Sequence, residues 1–193
     1  PRGSPATRPT GRWSGRTFLT TWFLAGAALA QGAWVGYDVD IPSPEATGVA
    51  DGTLAARIWS DGTSRYPDGA PAVVFVLGGE STGTLARQIP QAAGVVIVCF
   101  LFPGGVDLAS GRSSDGVYDF RGPASIAALR DVALFAAGEI ASASGQTVSE
   151  FVGLPVLPRG VGLLGSSNGG NIVLAVAAEH GAALADKVRW ILQ

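Results

Sequence analysis

The sequence predicts an α/β domain: a mostly parallel sheet flanked by helices, with antiparallel edge strands at its start. Three observations carry that expectation. Residues 72–77 and 95–101, and in weaker form 160–165, are continuous apolar runs of strand length, the pattern of strands covered on both faces. Between them lie stretches whose apolar residues recur at three- and four-residue spacing, as in helices that cross over a sheet. Ahead of them, residues 34–41 and 52–59 are β-prone and short, suited to pair as a hairpin-like edge.

In chain order, the first feature is a leader. Arg2, Arg8, Arg12 and Arg16 precede a mostly apolar stretch, residues 17–30, that closes on the small-residue triplet Ala28-Leu29-Ala30. A basic start engages a membrane face, a short apolar stretch inserts, and small residues fit a signal peptidase pocket, so a signal peptide cleaved after Ala30 and a secreted or periplasmic location are expected. Two alternatives stand beside it. Residues 17–35 just reach the length that spans about 30 Å as a helix, which would make a retained membrane anchor, although three threonines and Gln31 weaken that reading. The opening Pro1-Arg2-Gly3-Ser4 also resembles the remnant of a protease-cleavage linker, in which case part of the segment is not native. The domain boundaries expected are 1–30 for the leader and 31–193 for the folded part.

Within the folded part, Ile126, Leu129, Ala133, Ala136, Ala137 and Ile140 form an apolar stripe, with Arg130, Asp131 and Glu139 off it. Pro123 suits the first turn of that helix and Gly145 its end. Residues 171–178 are apolar nearly all round, as in a helix packed deep against a sheet. Residues 187–192 begin one more strand. A sheet ending on such a strand would leave an apolar edge bare, so the 193 residues are expected to be the N-terminal portion of a longer domain.

Composition excludes several classes. Hydrophobic residues at 47% against 15% charged supply a core and argue against disorder. A net charge of -2, with no basic cluster interleaved with aromatics, provides no field for a phosphate backbone, so nucleic acid is not an expected partner. The single cysteine, Cys99, cannot form an internal disulfide and sits in the run 95–101, where a small buried side chain is expected. No His, Cys, Asp or Glu cluster has metal-ligand spacing, and no cofactor is implied.

The chemistry concentrates at Gly165-Ser166-Ser167-Asn168-Gly169. Ser167 has glycine at minus two and plus two, directly after a predicted strand and directly before a predicted helix; Ser166 has Leu164 and Asn168 at those places. A serine in a sharp strand-to-helix turn adopts a strained backbone, and neighbours two positions away must lack bulk for the turn to close. The turn lifts the hydroxyl out at the sheet edge, and the following helix aims free N–H groups and its positive dipole end at the same place.

On these residues the sequence resembles the α/β-hydrolase superfamily over roughly residues 34–193. The resemblance implies Ser167 as the nucleophile and the backbone N–H of Asn168 as one oxyanion donor, with Gly170 allowing close helix packing. It places the other donor in the loop after an earlier strand, here Val76-Leu77-Gly78-Gly79-Glu80-Ser81. Leu77 stands where the family usually has histidine, and the donor role falls to Gly79, with Glu80 next in line. The family's base and acid follow the nucleophile in the chain. The one histidine, His180, lies thirteen residues beyond Ser167, roughly 20 Å along a continuous helix, too far for direct proton transfer. The base and acid are therefore expected beyond residue 193. Asp107, Asp115, Asp119 and Asp131 precede Ser167 and read as loop or helix-surface charge, with Asp119 and Arg121 suited to pin a loop near the active edge.

The leading function is thus a serine hydrolase acting on a carboxylic ester, with an amide second, through an acyl-enzyme on Ser167. Small-molecule, lipid or polyester esters are the substrate classes; a membrane enters only if the leader is retained. The alternatives are a catalytically inactive binding protein of the same fold, and a nucleotide-binding module using Gly78–Gly83 as a phosphate cradle, whose spacing fits neither common phosphate-loop pattern.

Overall fold

The computed structural model describes residues 33–89 and 93–193, so the expected signal peptide at residues 1–30 and its cleavage after Ala30 lie outside the described residues. The main sheet has six strands: β1 (Val35–Pro42), β2 (Thr53–Ser60), β3 (Ala70–Val76), β4 (Val96–Phe100), β7 (Val156–Gly165) and β8 (Val188–Leu192). Their spatial order is β1-β2-β4-β3-β7-β8. β1 and β2 pair antiparallel, β2 pairs antiparallel with β4, and β4, β3, β7 and β8 are parallel. The mixed α/β class expected from the apolar runs is the class observed. A two-stranded ribbon, β5 (Val106–Asp107) with β6 (Arg112–Ser113), stands apart from this sheet.

Every residue of β4 is buried, and β3 is buried except at Pro71, which is why these strands read as unbroken apolar runs. One face of the sheet is covered by α2 (Pro123–Ala136) and α4 (Asn168–Glu179), which share a single large core with it: Val74, Val98, Leu129, Val132, Phe135, Leu163, Ile172 and Val176 all belong. Phe75, Ile97 and Cys99 form a smaller cluster with Trp34, Trp59 and Leu164. Cys99 is fully buried, and desolvation pushes its thiol up to about 12. Three short helices, α1 (Pro44–Thr47), α3 (Val148–Val152) and α5 (Gly181–Leu184), complete the elements among the described residues.

Two sequence expectations need correction. α2 stops at Ala136, not near Gly145: Gly138 takes φ 74, its N–H bonds to Phe135 O, and Glu139 N–H reaches back to Leu134 O, the pair of bonds that closes a helix on a left-handed glycine. Asp131 is not surface charge. It is 7% exposed, accepts from Ser43 Oγ at 2.7 Å and from Arg130 Nε at 2.7 Å, and so ties α2 to the start of α1.

Candidate active site

The site is built where β7 turns into α4. Ser167 lies at that junction, exposed, with φ 53 and ψ -121, a backbone conformation that L residues adopt only when the surroundings enforce it. The enforcement is visible in the neighbouring glycines. A Cβ on Gly165 would sit 2.6 Å from Gly170 N, one on Gly169 would sit 3.0 Å from Val76 C and overlap its oxygen, and one on Gly78 would sit 2.9 Å from Ser167 Cβ. Only a strand end and a helix start stripped of side chains can approach this closely. Ser166 N–H donates to Val76 O at 3.0 Å and Gly169 N–H to Ser166 O at 2.8 Å, which ties the turn to β3 as well as to itself.

Three N–H groups lie open near this turn. Asn168 is the first residue of α4, where no preceding turn supplies a carbonyl for its N–H. Gly79, at φ 70, and Glu80 belong to the loop that follows β3, and among the described residues neither N–H has a hydrogen-bond partner. Gly78 packs on Ser166 and Ser167, so this loop and the serine turn are neighbours. The three donors named from the sequence are therefore backbone groups of the two segments that meet at Ser167.

The loop is held from behind. Arg121 Nη2 donates to Leu77 O at 2.6 Å and to Ser81 O at 3.1 Å, and Tyr118 Oη donates to Ser81 O at 3.2 Å. Asp119, expected to act together with Arg121, instead caps α2, accepting from Ala124 N–H at 2.7 Å and from Ser125 N–H at 3.2 Å. Asp115 accepts from Thr53 N–H at 2.8 Å, and Asp107 from Ser110 N–H at 3.0 Å; neither contacts Ser167. His180 is the C-cap of α4, at the opposite end of that helix from Ser167. Twelve helical residues hold the two roughly 18 Å apart along the axis.

No metal-binding group of three or more His, Cys, Asp or Glu occurs among the described residues, and no described helix is long and apolar enough to cross a membrane. The loop after β3 runs through Ile89 without entering a helix, so the phosphate-cradle alternative lacks the helix N-terminus it needs. A hollow of ≈ 390 Å³ lined by Leu163, Leu184, Val188 and Trp190 lies between α4, α5 and β8 and does not include Ser167.

No protein-family model and no curated protein matches the chain. Solved structures do. A hyperthermophilic esterase from the archaeon Pyrobaculum calidifontis superposes with a TM-score of 0.50 at 18% identity, over 81% of this chain and 43% of that one. The fold is that of an α/β-hydrolase. A thermophilic carboxylesterase cloned from a metagenomic library matches at TM-score 0.49 and 17% identity, over 82% of this chain and 46% of that one. A bacterial brefeldin A esterase, described as a homologue of human hormone-sensitive lipase, matches at TM-score 0.49 and 17% identity, over 83% and 40%. The chain spans less than half the length of these structures. The sequence signal for the sharp turn between β7 and α4 was the pair of glycines flanking Ser167. The role of Arg121 had a weaker signal, because its acceptors are main-chain oxygens 40 and 44 residues away.

Proposed function

We propose that this chain is the nucleophile-bearing portion of a serine hydrolase that cleaves carboxylic esters, with amides second, through an acyl-enzyme on Ser167. One observation carries the reading: Ser167 is exposed at a positive φ between β7 and α4, in a turn whose flanking glycines leave no room for a Cβ. Such a hydroxyl stands clear of the main chain, and the loop that carries the unpaired Gly79 and Glu80 amides packs beside it through Gly78.

In the proposed reaction Ser167 Oγ attacks the ester carbonyl carbon and gives up its proton to a base. The carbonyl oxygen becomes an oxyanion that accepts hydrogen bonds from Asn168 N–H and from Gly79 or Glu80 N–H. Collapse expels the alcohol, which takes the proton back from the base, and water then releases the acid from Ser167. His180 is too distant to serve as that base, and Asp107, Asp115 and Asp119 are engaged elsewhere, so the reading assigns neither base nor acid to a described residue. The esterase likeness fits small-molecule ester substrates. Export after cleavage at Ala30 is part of the same proposal, and an N-terminus at Gln31 in the mature protein tests it.

The deciding experiment is hydrolysis of p-nitrophenyl butyrate by the full-length protein and its Ser167→Ala variant. Loss of about 10⁴-fold or more in kcat with unchanged melting supports the reading. Equal activity overturns it, and a folded wild type with no activity on a panel of acyl chain lengths favours the inactive binding protein.

A further inference from the structure

The guanidinium of Arg121 packs into the loop after β3. It faces a row of main-chain oxygens in one loop: Leu77 O at 2.6 Å, Ser81 O at 3.1 Å and Gly79 O at 3.5 Å, all from Nη2. Nε donates to Tyr118 Oη at 2.9 Å, and the group lies 4.5 Å over the Phe102 ring. Among the described residues no carboxylate lies within ion-pair distance of it. Nη1 is buried without a hydrogen-bond partner, and the residue's own backbone sits at φ 73. Both features are unfavourable locally, and stability alone gives no reason to keep them.

The loop's ends are held by the sheet. β3 runs directly into Leu77, and beyond the grip Thr84 N–H donates to Phe100 O at 3.0 Å while Phe102 N–H donates to Thr82 O at 2.7 Å. Between those anchors the chain carries Gly78 and Gly79, which have no side chains to fix their peptide planes. In a trans peptide the N–H points opposite to the C=O. Holding the Leu77 and Gly79 oxygens at the guanidinium therefore turns Gly78 N–H and Glu80 N–H away from it, and of these Glu80 N–H is the candidate oxyanion donor that the grip orients directly. The un-neutralised positive charge also polarises these peptides in the sense that strengthens their N–H groups as donors.

We infer that Arg121 is a positioning residue for oxyanion stabilisation, setting the peptide orientation of the Leu77–Ser81 loop, with Tyr118 as its support. This rests on the proposed hydrolase reading, since it concerns the loop that would supply the second oxyanion donor. Arg121 itself touches no reacting atom.

The test uses the full-length protein with active sites titrated by a fluorophosphonate, so that kcat is per competent site. Arg121→Met should lower kcat about 100-fold and Arg121→Lys, which keeps charge but not the fork, about tenfold, each with KM within about threefold of wild type. Affinity for a trifluoromethyl ketone, which forms a tetrahedral adduct, should fall in the same ratio as kcat/KM. Tyr118→Phe should act in the same direction by about threefold and guards against misfolding of the arginine variants. Arg112→Lys is the control: Arg112 grips Ala56 O and Val39 O elsewhere, so its variant should lower melting without changing kcat per site. Normal kcat per site in Arg121→Met, a loss confined to KM, or unaltered ketone affinity overturns the inference. If Ser167→Ala still hydrolyses ester, the hydrolase reading itself has failed; if it is dead while Arg121→Met is normal, only this inference has.

Discussion

Gly169→Ala isolates the packing that holds Ser167 up. On helix propensity alone the change should stabilise α4 by about 1 kcal/mol. The structure opposes it: the new Cβ would overlap Val76 O and stand 3.0 Å from Val76 C and 3.2 Å from Leu77 O, all backbone atoms with little freedom to yield. The start of α4 must lift off β3, which breaks the Ser166 N–H bond to Val76 O, worth about 1 kcal/mol, and adds overpacking strain of about 1–3 kcal/mol. The net is destabilisation by about 1–3 kcal/mol, or a melting shift of roughly 3–10 °C for a domain of this size. A displaced Asn168 N–H and Ser167 Oγ should also slow fluorophosphonate labelling by about tenfold or more. Gly181→Ala, where nothing lies within 4 Å of the new Cβ, should leave both measurements nearly unchanged. Differential scanning calorimetry and labelling kinetics on the full-length protein read the two effects. A Gly169→Ala protein that melts at or above wild type and labels at the wild-type rate would refute the reasoning.

Other outcomes follow from the same contacts. Asp131→Ala should destabilise by about 2–4 kcal/mol, because Ser43 Oγ and the Arg130 guanidinium lose a buried acceptor; chemical denaturation checks this, and Asp131→Asn should recover part of the loss. Thr147→Ala removes the capping box that Thr147 and Glu150 form on α3 and should cost about 1 kcal/mol with no effect on labelling of Ser167. Cys99, its thiol raised to about 12 by burial, is favoured in its protonated form on folding. Its contribution is fully present below the unfolded value near 9 and is lost as pH rises through about 12, by roughly 1.4 kcal/mol per pH unit. Denaturation of wild type and Cys99→Ala between pH 8 and 11 should show the steeper decline in wild type, and equal slopes would contradict the burial argument.

The strands of this fold were legible because double-sided burial writes an unbroken apolar run, as at β3 and β4. The serine turn was legible because Gly165 and Gly169 flank Ser167 at the spacing the turn geometry demands. What escaped was set by partners distant in sequence. Asp131 looked like surface charge because its position off the apolar stripe says nothing of Ser43, 88 residues away, which meets it in the core. The start of α2 at Pro123 was legible, but its C-terminal end was not, because Gly138 and Gly145 both take positive φ and only the hydrogen bonds around Gly138 distinguish the true stop. α3 did leave a signal, Thr147 three residues before Glu150, which is the spacing of a capping box.

The central claim is most directly tested by treating the full-length folded protein with a fluorophosphonate and mapping the adduct by peptide mass spectrometry. One phosphonyl group per chain on Ser167, absent from the Ser167→Ala protein, is the result expected. An adduct on another residue, or a native wild-type protein that takes up none, would contradict it.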